Sequence, residues 1–169
     1  MTTIRFTLET SVPPAQVLAA ALDFSERRPD LWPNISRRFY QVHDIGETWA
    51  EVTEGSDMMG GIWAREHYDW STPGTVKGTV QESNVFQPGG TWEIRVRPVE
   101  RGGSRIELIR DRNGRGPKGK LMEAMLAVVG RKVLASGLQR TLEILAHQGR
   151  DQVRLASASG TSESVEMRS

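Results

Sequence analysis

Glu54, Glu66, Tyr68 and Arg110 are the side chains of this sequence best spaced to do chemistry together. Each falls in the alternating phase of the apolar residues around it. Glu54 is in step with Ala50 and Val52, Glu66 with Ile62, Ala64, Tyr68 and Trp70, and Arg110 with Ile106 and Leu108. Residues two apart in a strand share a face, so these charges are predicted to point into an apolar interior. An inward carboxylate is costly and needs a partner, water or a raised pKa. Pairing of Glu66 or Glu54 with Arg110 is one solution. Such a group would orient the polar end of a guest molecule or shuttle a proton. Glu66 and Tyr68 are then the acid–base candidates, and Arg110 is the group that polarises a carbonyl. The competing reading is a strand-end ion pair or a solvated rim, because Glu54 and Arg110 lie near strand ends.

Other motifs carry less. Gly114 to Gly119 spells G-x-G-x-x-G between a strand and a helix, but no strand follows the helix to complete a parallel βαβ unit. Read as G-x-x-x-x-G-K over Gly114 to Lys120, it lacks the hydroxyl residue that would hold Mg²⁺, since Leu121 comes next. A flexible glycine linker into the last helix is the plain reading. Arg110, Arg112, Arg115, Lys118 and Lys120 concentrate positive charge there, either as a solvated loop or as a patch for anionic head groups or an acidic partner. His43, His67 and His147 are far apart and match no zinc spacing, so neither metal nor cofactor is expected. No Ser-His-acid triad can be assembled. Glu26 to Asp30 reads as a solvated turn with Trp32 as one lip of a cavity, and Met58-Met59 as a loop or a mobile second lip.

The elements that must position these residues follow from pattern. Ile4, Phe6 and Leu8 alternate with Arg5, Thr7 and Glu9 as a half-buried strand. Pro13 and Pro14 suit the first turn of a short helix, and Pro29 and Pro33 limit Ser25 to Trp32 to a second one. Six further strands run from Tyr40 to Arg112, with turn signals at Gly46, Pro73-Gly74, Pro88-Gly89-Gly90 and Gly102-Gly103. One long helix covers about Gly119 to Gly149. Met122, Leu126, Val129, Val133 and Ile144 form one stripe on it, and Leu134, Leu138, Leu142 and Leu145 an adjacent one. Gly130 and Gly137 allow a bend or close packing. Residues 150–169 are rich in Ser, Ala, Gly and charge and are predicted to be a disordered tail beyond a single domain, 1–149. Neighbouring strands with short turns favour an antiparallel meander. Such a sheet, strongly curved around one helix, is an α+β arrangement that tends to leave a hollow.

The 169 residues suffice for a real core, and five Trp weigh heavily in it or in a ligand wall. The formal charge of +1 gives no reason to expect nucleic-acid binding. Absence of Cys excludes disulfides and thiol catalysis. Met1 to Thr10 is not a signal peptide, and no apolar stretch reaches the ~20 residues of a membrane span. A soluble cytoplasmic protein is expected.

Three strings carry a resemblance: Phe24 to Pro33 (FSERRPDLWP), Thr48 to Gly55 (TWAEVTEG), and Tyr68-Asp69-Trp70-Ser71 with Pro73-Gly74. Over roughly Thr2 to Gln148 the chain resembles the START-like, Bet v 1-like superfamily (SRPBCC domains), and within it the bacterial polyketide cyclase/dehydrase and lipid-transport group. The resemblance implies a helix-grip fold and an internal cavity. It implies no particular reaction, because the superfamily shares a cavity rather than a catalytic signature.

The expected function is binding of a small hydrophobic ligand, lipid or polyketide-like, between the sheet and the last helix. Tyr40, Val52, Ala64 and Val80 would line the cavity, with Ile94 and Leu108 deeper in the sheet. Tyr68, Trp70 and Trp92 would supply flat apolar contact, and Met122, Leu126 and Val129 would close it from the helix. Small residues at Ala50, Ala64 and Gly78 favour a hollow over a filled core. The alternatives are a polyketide cyclase, aromatase or dehydrase that uses Glu66, Tyr68 and Arg110, and a protein-interaction module.

Overall fold

A computed structural model describes the chain except residues 1, 101 and 167–169; at 153 and from 155 onward only the backbone is described. The elements are β1 (Thr2–Thr10), α1 (Pro14–Ala21), α2 (Arg28–Leu31), β2 (Gln41–Ile45), β3 (Trp49–Ser56), β4 (Ile62–Asp69), β5 (Thr75–Ser83), β6 (Thr91–Pro98), β7 (Ser104–Arg112) and α3 (Gly116–Glu166). The strands form one antiparallel sheet in the order β1-β7-β6-β5-β4-β3-β2. Strands β2 to β7 are a meander. β1 joins it from the far side, pairing with β7 from Thr2↔Arg112 to Thr10↔Ser104. This is the helix-grip α+β fold.

Alternation works as the pattern predicts. In β4, Ile62, Ala64, Glu66 and Tyr68 are buried while Arg65 is exposed. In β5 the inward phase holds at Val76, Gly78 and Val80 and then slips, so that Ser83 is buried. The cause is a bulge: Arg65 pairs with Glu82 but Glu66 pairs with Val80, leaving Gln81 over. A bulge bends its strand and raises local twist, and this one lies beside Glu66.

The helices cover the concave face unevenly. α3 lies against β1, where Gly130 lets the helix backbone close on Ile4: a Cβ there would stand 2.6 Å from Ile4 Cδ1. Met122, Leu126, Leu138, Leu142 and Leu145 are buried in a cluster with Phe6, Val17, Ile94 and Ile106. Val129 and Val133, expected on the buried stripe, are 38% and 40% exposed. The buried face shifts around the helix along its length, from Met122–Leu126–Gly130 to Leu138–Thr141–Leu145, and these two valines fall at its margin. α1 and α2 bracket the other half, where Ala21 and Phe24 pack with Ala50, Val52, Tyr68 and Val76.

In the described residues α3 runs on through 150–166 as far as Glu166; residues 167–169, the rest of the expected tail, lie outside the described residues. One further expectation is corrected. The glycine run leading into α3 is a packed junction rather than a flexible linker. A Cβ on Gly114 would meet the Gly119 carbonyl oxygen at 2.2 Å, and one on Gly119 would meet that of Val85 at 2.2 Å.

Candidate functional site

Strand register sets the site. One row runs across the concave face through Ile4, Arg110, Trp92, Gly78, Tyr68 and Ala50, each opposite the next on the neighbouring strand. Large and small residues alternate from Trp92 to Ala50. With no side chain at Gly78, the Trp92 indole lies flat across β5. A Cβ at Gly78 would stand 2.3 Å from Trp92 Nε1 and 2.8 Å from Glu66 Oε2. The space that small residues promised as a hollow is therefore filled, at Gly78, by Trp92. The Tyr68 and Trp92 rings meet edge-on at 5.3 Å, and Phe24 extends the array to Tyr68 at 5.0 Å and Trp70 at 5.7 Å.

Glu66 stands in the adjacent row, opposite Val52 on one side and Val80 on the other. Its Oε2 accepts from Trp92 Nε1, and its Oε1 accepts from Arg112 Nη2. Glu66 and Arg112 are both almost wholly enclosed, with side chains 7% and 4% exposed. Arg112, expected in a solvated basic loop, is instead the last residue of β7, which continues through it in the inward phase of Ile106, Leu108 and Arg110.

Glu54 pairs with Arg28 Nε, not with Arg110. Arg28, expected in a solvated turn, is buried because the Pro29-bearing turn of α2 aims it down at the sheet. Its Nη1 donates to the carbonyls of Ala21 (2.9 Å) and Asp23 (3.2 Å), and its Nη2 to Tyr68 Oη (3.3 Å). The Phe24 and Tyr68 rings lie 4.6 and 5.3 Å from the guanidinium carbon. Burial opposes its charge, yet Glu54 and Tyr68 outweigh burial and hold its pKa above the ordinary arginine value. Burial, followed by the Glu54 charge, pushes the Tyr68 phenol well above the usual tyrosine range, so Tyr68 stays protonated. Tyr40, half-buried, donates from Oη to the Phe24 carbonyl at 2.8 Å.

Arg110 is left over. It has no carboxylate partner among the described residues, and its Nε is enclosed without a hydrogen-bond partner. Burial, reinforced by the Arg112 charge, lowers its pKa to about 10. Arg112 has the same defect in part: its Nε and Nη1 are buried and unpartnered. Both guanidiniums flank the Phe86 ring, at 5.8 and 5.5 Å.

The remaining candidates of the wall fall where alternation puts them. Val52, Ala64, Val80, Ile94, Leu108, Met122 and Leu126 are buried, whereas Trp70, Trp92 and Tyr40 are half-buried. Sequence reading misses Arg28, Arg112 and Phe86. The phase of Ile106 and Leu108, extended two residues beyond Arg110, would find Arg112. Nothing local marks Arg28.

Two hollows open elsewhere on the described surface. One of about 510 Å³ lies among Asp69, Thr72, Lys77, Glu93 and Arg95 on polar ground. One of about 190 Å³ lies between Leu8–Thr10 and Leu142–Ala146. Neither touches Glu66 or Tyr68. Among the described residues no helix is long and apolar enough to cross a membrane.

Such a curved sheet gripping a C-terminal helix defines the START/Bet v 1 class of folds. The solved structures agree. An aromatase/cyclase (Zhui) from Streptomyces sp. R1128 superposes with a TM-score of 0.72 at 16% identity, covering 87% of this chain and 94% of its own. A START superfamily protein from Mycobacterium smegmatis gives 0.69 at 15% identity, covering 85% and 98%. A protein from Thermus thermophilus gives 0.72 at 16%, covering 87% and 99%. No curated protein sequence matches significantly. The profile of the polyketide cyclase / dehydrase and lipid transport family matches residues 1–146, and the chain belongs to that family.

Proposed function

We propose that this protein binds a small hydrophobic molecule, lipid or polyketide-like, between the concave sheet and α3. The observation that carries this reading is a partly exposed apolar stretch of α3 with a contact tying the helix down at each end. At one end Lys118 Nζ donates to the Gly61 carbonyl at 3.0 Å. At the other, Gly137 packs on Asn34, where a Cβ would meet Asn34 Nδ2 at 2.1 Å. Between these contacts Val129 and Val133 remain partly exposed on α3, and Met58 and Met59, beside Gly61, are exposed on the β3–β4 connection. Met59 holds a φ of 50° there, an uncommon conformation for a residue with a side chain. Release of either end contact would open a path to Met122, Leu126 and the aromatic row. Binding would be driven by apolar area, with the charged groups setting orientation.

The geometry favours binding over turnover. Both oxygens of Glu66 already accept hydrogen bonds, and Tyr68 is held neutral with its oxygen accepting from Arg28. A carboxylate so engaged is a poor general base.

Native mass spectrometry of the protein purified from its host, followed by intrinsic tryptophan fluorescence with 1-dodecanol, tests the proposal. A co-purified apolar molecule and saturable quenching of Trp92 are expected. A ligand-free protein that does not respond to dodecanol would remove the basis for the reading.

A further inference from the structure

We infer that Arg110 and Arg112 form a subsite for the carboxylate of a monoanionic apolar ligand. The inference rests on the binding reading above and adds the chemical class of the guest. Its ground is an imbalance of charge and hydrogen bonding in one place. The cluster holds three guanidiniums, Arg28 and Arg112 buried and Arg110 partly buried with its Nε enclosed, against two carboxylates, Glu54 and Glu66. Arg28 and Glu54 serve each other, and Glu66 serves only Arg112 Nη2 among the arginine nitrogens. That leaves one uncompensated positive charge and three enclosed N–H-bearing nitrogens without acceptors: Arg110 Nε, Arg112 Nε and Arg112 Nη1. Buried polar groups are ordinarily paired, and an orphaned one asks for an explanation. Arginine does not escape by neutralising itself at physiological pH.

The missing partner is an acceptor with one negative charge. A carboxylate supplies two coplanar oxygens that match the forked donors of a guanidinium. A dianion would overbalance the cluster. Phe86, beneath both guanidiniums, and Trp92, opposite Arg110 in register, place apolar surface beside the proposed head group. Gly90 borders Arg112 without a side chain of its own; a Cβ there would stand 3.4 Å from Arg112 Cδ and 3.5 Å from Nη1. The guest would thus lie with its apolar body toward the aromatic row and its carboxylate on β7.

The test compares dodecanoate with 1-dodecanol on the full chain and on Arg110→Met, using tryptophan fluorescence, with thermal unfolding in acetate against chloride at constant ionic strength. Charged hydrogen bonds in an enclosed site correspond to about tenfold or more in affinity. The native protein is expected to prefer dodecanoate by about that factor. Arg110→Met is expected to bind the two alike and to unfold no earlier than the native protein without ligand. Equal binding of both ligands by the native protein, or a preference that survives Arg110→Met, overturns the subsite and leaves apolar binding standing. If neither ligand binds, the apolar reading falls and acetate decides. Selective stabilisation of the native protein over Arg110→Met by acetate supports the subsite, and its absence overturns that too.

Discussion

Arg28 and Arg112 each bring a buried guanidinium to one carboxylate, at either end of the same aromatic row, yet their surroundings differ. Arg28 is saturated: it serves Glu54, two backbone carbonyls and Tyr68, and lies close to the Phe24 and Tyr68 rings. Arg112 has Glu66 and the Phe86 ring, and two of its nitrogens stay unpartnered next to a second, unpaired arginine. The difference teaches which buried charge is architecture. Arg28 ties α2 to β3 and β4 and finishes its own hydrogen bonding. The β7 arginines are incomplete as the protein stands, which is how a site awaiting a ligand differs from a brace.

The strongest way to break the comparison is at Arg28. Arg28→Met strands Glu54 and frees the carbonyls of Ala21 and Asp23, so a loss of about 3–5 kcal/mol is expected from urea denaturation. Arg110→Met, which removes a charge with no partner, is expected to cost nothing; similar losses for both would erase the distinction. A middle-sized effect sharpens the other side. Gly78→Ala puts a methyl where the Trp92 indole lies, and the ring must leave Glu66. About 1–3 kcal/mol of destabilisation is expected, with a shift in the tryptophan emission maximum as the indole loses its buried acceptor.

The smallest effect concerns pH. Burial raises Tyr40 to about 12, above its ordinary value of 10.0. Its contribution is complete below pH 10 and is lost as pH rises through about 12, because the unfolded chain releases that proton first. Arg110, lowered to about 10, acts in the opposite sense, since its penalty is relieved above that pH. The urea midpoint of the native protein is therefore expected to fall more steeply with alkalinity than that of Tyr40→Phe, and equal slopes would remove Tyr40 from the accounting.

Much of the frame is legible in the sequence, because period-two alternation marks which face of each strand is buried. That pattern points Glu54, Glu66, Tyr68 and Trp92 inward, and inward they are. Pairing is not legible. Which carboxylate meets which arginine depends on register across strands and on a bulge at Gln81, and no local pattern encodes either. Arg28 is hidden more deeply still. Its neighbours Glu26, Arg27 and Asp30 read as a solvent-exposed turn, and only packing of α2 against the sheet turns that one guanidinium inward. A straight stripe misplaces Val129 and Val133, because the buried face of their helix rotates.

The pairing of β1 with β7 also bears on how the chain acquires its shape. Thr2 finds its partner Arg112, and Ile4 its helix neighbour Gly130, only after more than a hundred intervening residues have been made. At ~5–20 residues per second of synthesis, that delay is about 5–20 s. Throughout it, β1 carries Ile4, Phe6 and Leu8 with no strand beside them, while β2 to β6 can already form hairpins locally. Assembly of the sheet thus closes last along β1, the strand made before the other six.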